Sequence, residues 1–557
     1  MKKILSLLFV AVFVFGVIFC TPATFAQKDG VKFALASDIH MDIQRETLPV
    51  NYPESELYFH GGGSGNLYDE CVGLFNTFLK QAAEENVDFV LIPGDMTRSG
   101  SEAQHRQCAA ILEKFEKETG IPAYIVPGNH DFYNSTREQF REYYKDVCYK
   151  NALVLDDETA SYTANLPNGF RLIAVDSNNP GKDGDGMDER LYNWIDEQVK
   201  AAHADGREII YTMHHTLLEH IVLGKIVIKD FIVRNSDEVA EKFCEWGIQY
   251  TFTGHEHGND IAKFVGKNGN TVYDILTTAL TSYPLDYRIM EFSKQGVTSQ
   301  IKNIDKCDFS SLIKGYNEKQ LELMRTDYDA YAYGMFTYSI RQKILQYTSP
   351  DFIKKKLKMA DADNPLTREI DALMNLVVYT LDMPLYDTGD GVSIESLAAQ
   401  KGVTLPKSEY LTLADFISCV AALHYHGDEN RPYGEYPECE LFVKALNTGL
   451  EYILSNADKE AVNALLSHSD ELAGDYSDEL RAWVTAASRG ENSYERAGAI
   501  LYPLLEKILV DKGPADRTVT MPPVGENVNK QAQIMTFTEK LVAILKYVLN
   551  IVITFIK

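Results

Sequence analysis

Phe33-Ala34-Leu35-Ala36-Ser37-Asp38-Ile39-His40 runs from an apolar segment of strand character directly into an Asp-x-His pair. Four later stretches repeat that order. Residues 89–92 precede Gly94-Asp95, residues 123–126 precede Gly128-Asn129-His130-Asp131, residues 209–213 precede His214-His215, and residues 249–252 precede Gly254-His255-Glu256-His257. Loops beyond strand ends are where open α/β sheets bind ligands. Imidazole nitrogen combined with carboxylate or amide oxygen suits borderline first-row metals such as Zn, Mn and Fe, whereas an all-oxygen set suits Mg or Ca. No cysteine stands in these blocks, which argues against a structural thiolate zinc site. Each block alone is a common string, since Asp after a strand often only caps a turn. Their ordered recurrence, each after a strand-like run, makes a dinuclear metal site the reading.

Between the blocks, helix-like pieces fall at residues 68–85, 102–118, 137–145, 188–203 and 236–246. Alternating strands and helices over residues 31–211 predict a layered α/β domain. The β-like runs 261–265, 271–276, 287–292 and 296–301 are expected to form hairpins that complete a second sheet. From residue 308 apolar residues recur at helical spacing, as in 318–325, 339–347 and 415–423, so a mainly α-helical accessory domain is expected over 308–510. Residues 511–530, with Pro514, Pro522 and Pro523, read as a linker.

The ordered blocks resemble the calcineurin-like metallophosphoesterase superfamily, whose pattern is D-x-H, GD, GNH[D/E], H and GHxH, over residues 31–305. The resemblance implies a four-layer αββα sandwich. It implies one metal held by Asp38, His40 and His257, another by Asn129, His214 and His255, and Asp95 as the bridge. His130 matches a non-ligand histidine close to the scissile phosphate, and Asp131 would orient it. The implied reaction is phosphoester hydrolysis by in-line attack of a hydroxide bridging two Mn, Fe or Zn ions. Two metals about 3.5 to 4 Å apart suit such a displacement, because they clamp the attacking and leaving oxygens together. Asn129 would contribute a neutral oxygen and leave its amide hydrogens for a substrate oxygen. Purple acid phosphatases carry a metal-binding Tyr where Arg98 stands here, and the Gly-Asn-His-Glu and Asp-Arg-Gly strings of Ser/Thr phosphatases are missing. The motifs are most similar to the cyclic-nucleotide and glycerophosphodiester phosphodiesterase branch, which favours a diester over a monoester. Asp42 is also similar to the acid-sphingomyelinase-like branch.

Other residues receive plainer readings. His215 is expected behind the ligands or at the mouth of the site, His60, His105 and His220 are read as surface or structural, and Arg98 as solvated. Tyr328, Tyr331 and Tyr333 are read as packing aromatics, and His424 and His426 stand too far along the chain to be assigned. The glycine-rich residues 51–66 are a surface loop or a lid, and residues 183–188 a turn.

Residues 1–26, with Lys2 and Lys3 before an apolar run, read as a secretory signal peptide; the alternative is a lipoprotein signal at Cys20. The seven cysteines after it, scattered and odd in number, read mostly as buried thiols. A net charge of -26 excludes long nucleic acid as an expected partner and is compatible with a small phosphoester at a cationic metal pair. Residues 531–557 form an apolar amphipathic segment read as interfacial or self-associating, with spanning and docking as alternatives. An exported enzyme, either secreted or held at a membrane surface, is the expectation. The rival is a non-catalytic secreted interaction protein that uses the helical half and this segment.

Overall fold

The computed structural model describes residues 30–42, 65–178, 187–221, 229–307, 318–356, 365–389, 391–427, 437–456, 477–489, 491, 493–509 and 513–525. Residues 1–26, His60, most of the 51–66 loop, residues 183–186 and residues 531–557 lie outside the described residues.

Two sheets carry the first half of the chain. The first contains β1 (Val31–Leu35), β2 (Phe89–Ile92) and β3 (Ala123–Ile125), which are parallel. It also contains β11 (Asp286–Ser293), β12 (Gly296–Asn303) and β13 (Thr518–Met521), which continue antiparallel from β1 in the order β13-β12-β11-β1-β2-β3. The second is ordered β4-β5-β6-β7-β8-β10-β9. Its parallel centre is β6 (Phe170–Val175), β7 (Glu208–Met213), β8 (Tyr250–Thr253) and β10 (Thr271–Leu276). The antiparallel β4 (Ala152–Leu155), β5 (Tyr162–Asn165) and β9 (Asp260–Val265) flank it.

Strand alternation explains the layering, because successive side chains point to opposite faces. On β6, Leu172 and Ala174 join the core between the sheets, while Ile173 and Val175 join an outer core. The outer core is completed by Leu191, Ile195 and Val199 of a helix at Glu189–Ala204 and by Val239 and Phe243 of one at Ser236–Trp246. Between the sheets, the Phe33 ring of β1 stacks on Phe89 at 4.7 Å and meets Phe252 of β8 edge-on at 5.2 Å. On the far side of the first sheet, helices Cys71–Glu84 and Glu102–Thr119 bury Phe75, Phe78, Leu112 and Phe115. The result is the expected αββα sandwich, with a mostly helical region after it.

The structure departs from the sequence expectation in where the late strands go. The hairpin of β9 and β10 extends the second sheet, but that of β11 and β12 joins the first, beside β1. Residues 511–530 are not all connector either. Thr518–Met521 pairs with the open edge of β12, a position that Pro522 does not obstruct because it follows the last paired residue.

The helical region docks on the sandwich. A helix at Tyr328–Tyr347 adds Tyr331, Met335 and Phe336 to the main hydrophobic core cluster of the sandwich, and the Tyr331 hydroxyl donates to Glu70 at 2.8 Å. Tyr333 packs edge-on against Tyr283 at 5.2 Å, so the aromatic group serves packing. Cys71, Cys108, Cys148, Cys244 and Cys439 are buried. Among the described residues no helix is long and apolar enough to cross a membrane.

Candidate metal centre

The ligand blocks occupy the loops that follow β1, β2, β3, β7 and β8, so the parallel strands deliver them to one end of the sandwich. Their backbone is strained there. Asp38, His40, Asp95, His255 and His257 have φ of 52°, 45°, 48°, 71° and 64°, and they are five of the nine non-glycine residues with positive φ among the described residues. Left-handed backbone is costly for L-residues and persists where neighbouring structure holds it. Neighbouring loops supply that hold: Asp38 N–H donates to the Gly94 carbonyl at 3.2 Å, His40 N–H to Asp95 at 2.9 Å, and Gly254 N–H to His214 at 3.0 Å. The motif glycines permit close approach. A Cβ on Gly128 would lie 2.1 Å from Asp95 Oδ1, and one on Gly254 would lie 2.4 Å from Asp38 Oδ2.

Three overlapping groups result, each with its donor atoms within 4.8 Å of one another: Asp38, His40 and His257; His40, Asp95 and His130; Asp95, His214 and His255. His257 Nε2 lies 3.2 Å from Asp38 Oδ1, and His214 Nε2 lies 3.5 Å from Asp95 Oδ2. Asn129 Oδ1 completes the last group, 3.2 Å from His214 Nε2. Every residue the sequence assigned as a ligand is therefore gathered here.

The donor set fits a bound cation on a specific observation. Each buried carboxylate commits one oxygen to backbone, Asp38 Oδ2 to His255 N–H at 3.0 Å and Asp95 Oδ1 to His130 N–H at 2.9 Å. The other oxygens, Asp38 Oδ1 and Asp95 Oδ2, are buried, accept no hydrogen bond and face the imidazoles. A buried carboxylate oxygen that accepts no hydrogen bond is costly, and a metal ion would remove that cost.

Electrostatics agree with the geometry. Burial pushes the Asp38 and Asp95 carboxyls up, but facing imidazoles outweigh it, His257 for Asp38 and His214 for Asp95, and hold both below the ordinary range. Burial opposes a charge on His214, yet Asp95 holds its imidazolium up to about 10. Burial drives His40 down to about 3, and burial with His215 and His214 drives His255 well down, so both are neutral donors. His214 Nδ1 donates to the Pro93 carbonyl at 2.8 Å, which turns Nε2 toward the centre.

His130 is arranged similarly but is half-buried. Its Nδ1–H donates to the Arg98 carbonyl at 2.7 Å and its Nε2 faces Asp95 at 4.0 Å. Asp131 does not orient this ring, contrary to the sequence expectation. Its carboxylate accepts from Met96 N–H, Thr97 N–H, the Thr97 hydroxyl and Gly128 N–H at 2.8–3.1 Å. It clamps the loops after β2 and β3, because the turn at His130–Phe132 sends adjacent side chains in different directions.

His215, His105 and His220 hold structural positions. His215 is buried, with Nδ1 2.8 Å from the Ser177 hydroxyl and its ring 4.5 Å from that of His255. His105 is buried, joining the Tyr144 hydroxyl to the Asp131 carbonyl. His220 is buried between Asp260 at 2.6 Å and Asp274 at 3.0 Å, and those carboxylates raise its pKa against the effect of burial. Arg98 is not simply solvated, since it pairs with Asp42 at 2.6 Å and covers the Tyr68 ring at 4.0 Å. Sequence reasoning missed two aromatic neighbours. Tyr133 lies 4.6 Å from the His130 ring, and Phe231 stacks on His255 at 4.3 Å. Tyr133 was within reach of a short-range signal, four residues after Asn129 in the same turn.

Comparison with known proteins bears on the same loops. A probable glycerophosphodiester phosphodiesterase of Arcobacter nitrofigilis is 27% identical over 172 residues, covering 30% of this chain and 56% of that protein. The chain thus matches little more than half the length of that relative. A probable cyclic nucleotide phosphodiesterase of Psychrobacter arcticus is 21% identical over 251 residues, covering 42% of this chain and 84% of that protein. A solved dimetal phosphatase from Danio rerio, 14% identical, overlaps 49% of this chain and 96% of its own with a TM-score of 0.35. Residues 31–259 match the model of the calcineurin-like phosphoesterase family, a span that includes every strand-end loop just described. Over residues 31–259 this chain thus resembles the calcineurin-like phosphoesterases, and the three donor groups just described all lie within that span.

Proposed function

We propose that this protein is an exported phosphodiesterase that works with two divalent transition-metal ions. The observation that carries the reading is the pair of buried oxygens that accept no hydrogen bond, Asp38 Oδ1 and Asp95 Oδ2, each facing histidine nitrogens. Asp38, His40 and His257 would hold one ion, and Asn129, His214 and His255 the other, with Asp95 between them. Mn, Fe or Zn suits this nitrogen and oxygen set. When bound, such a pair supplies Lewis acidity and an acidified water.

The chain's own residues do the rest. Asn129 donates a neutral oxygen, which limits negative charge where an anionic ester must sit. His130 keeps its Nδ1 proton on the Arg98 carbonyl and presents Nε2 to the centre, where it can hold and release the proton that a departing oxygen needs. Two points favour a diester. Relatives of low identity are named as diesterases, and Arg98 is committed to Asp42 rather than free to neutralise the second charge of a monoester. Export is supported by the basic and apolar start of the sequence, and surface or self-association by its apolar 531–557 segment.

The test is hydrolysis of a chromogenic diester and the matching monoester by the Mn-loaded protein, beside Asp95→Asn. Diester turnover that exceeds monoester turnover and drops at least about 100-fold in the variant is expected. No turnover of either ester with metal bound would favour the interaction-protein reading instead.

A further inference from the structure

We infer that Tyr133 is the specificity-determining platform of this centre, its exposed ring beside His130 selecting phosphoesters that carry a planar aromatic arm, aryl or nucleoside. The inference rests on the proposed function and names its substrate class. Asp38, His40, Asp95 and His214 are at most 1% exposed and His255 is 9% exposed, so the centre is closed on their side. The side chains of His130 and His257 are 29% and 13% exposed, which places the wider opening at His130. An ester arm extending from a phosphoryl group at the centre leaves past His130, and the next surface it meets is Tyr133.

Two features make that surface a platform. The Tyr133 ring is 57% exposed, although it lies only 4.6 Å from the His130 ring. Its position is fixed at the far end, where the hydroxyl accepts from Asn129 Nδ2 at 3.2 Å. By contrast, Phe231, another aromatic at the centre, has its face on His255 at 28° between planes. A planar group stacked on an exposed aromatic gains about tenfold in affinity or more, whatever its hydrogen-bonding pattern.

The test uses the full, Mn-loaded protein and calorimetric binding of phenylphosphonate and methylphosphonate, which need no turnover. The wild type and Tyr133→Phe are expected to bind the phenyl compound about tenfold tighter than the methyl one. Tyr133→Leu is expected to lose that preference, with methylphosphonate affinity within about twofold of wild type and equal metal content by elemental analysis. A wild type without the preference, a wild type that binds neither compound, or a Leu variant that keeps the preference overturns the inference. An intact preference without ester turnover upholds the platform and counts only against the catalytic reading.

Discussion

His130 and Gly128 stand two residues apart and would fail differently. His130 touches the open side of the centre through Nε2 and is not needed to close the ligand groups of Asp38 or His214. His130→Gln should therefore lower kcat by about 100-fold or more, as loss of a proton-transfer group does, with metal content unchanged by elemental analysis. Gly128→Ala acts on the scaffold. Its Cβ would collide with Asp95 Oδ1 and backbone N, so the loop must shift and carry Asp95 with it. Destabilisation of about 1–3 kcal/mol is expected from overpacking, together with weaker Mn binding by calorimetry. Equal metal affinity in wild type and variant would refute that account.

Among the elements, the β11–β12 hairpin holds a titratable group whose effect on stability has a definite sign. Asp286 is buried and accepts from Asn259 at 3.1 Å, Asn303 at 3.1 Å and Arg517 at 2.9 Å. Burial pushes its carboxyl up to about 6 from an ordinary 3.8, against the pull of Arg517. The folded state thus binds this proton more tightly than the unfolded chain does. Its contribution is fully present below about 3.8 and is lost as pH rises through about 6. In urea unfolding, the stability of wild type relative to Asp286→Asn should fall by up to about 3 kcal/mol between pH 4 and pH 7. A difference that grows with pH would reverse the assignment.

At the scale of the molecule, the helical region is tied to the loop that bears His255 and His257. The helix Leu413–His426 ends against that loop, where Asn259 Nδ2 donates to the Tyr425 carbonyl at 3.2 Å and His424 lies against Gly258. Arg517, one residue before β13, donates to the His426 carbonyl at 2.7 Å and to Asp286, while Asp516 accepts from Ile261 N–H at 3.1 Å. Arg517→Met removes charge-assisted bonds worth about 1.5–3 kcal/mol. A fall in Tm of several degrees is expected by calorimetry, with Mn affinity reduced and both restored in part by Arg517→Lys. An unchanged Mn affinity would mean that the helical region packs on the sandwich without bracing the ligands.

The gathering of the candidate ligands was legible in the chain itself, because each of these residues follows its own strand within a few residues and the parallel strands bring those loops to one end. Asp38, His40, Asp95, Asn129, His214, His255 and His257 could all be named from spacing and residue type together with the family pattern. The layered α/β class followed from the same local periodicity. Only the tertiary structure decided which sheet took the β11–β12 hairpin, that Thr518–Met521 closed the β12 edge, that Asp131 clamps backbone rather than His130, and that His424 meets Gly258. These outcomes depend on which open edge or buried donor lies near once the chain has collapsed, and contacts spanning tens to hundreds of residues leave no mark in local spacing.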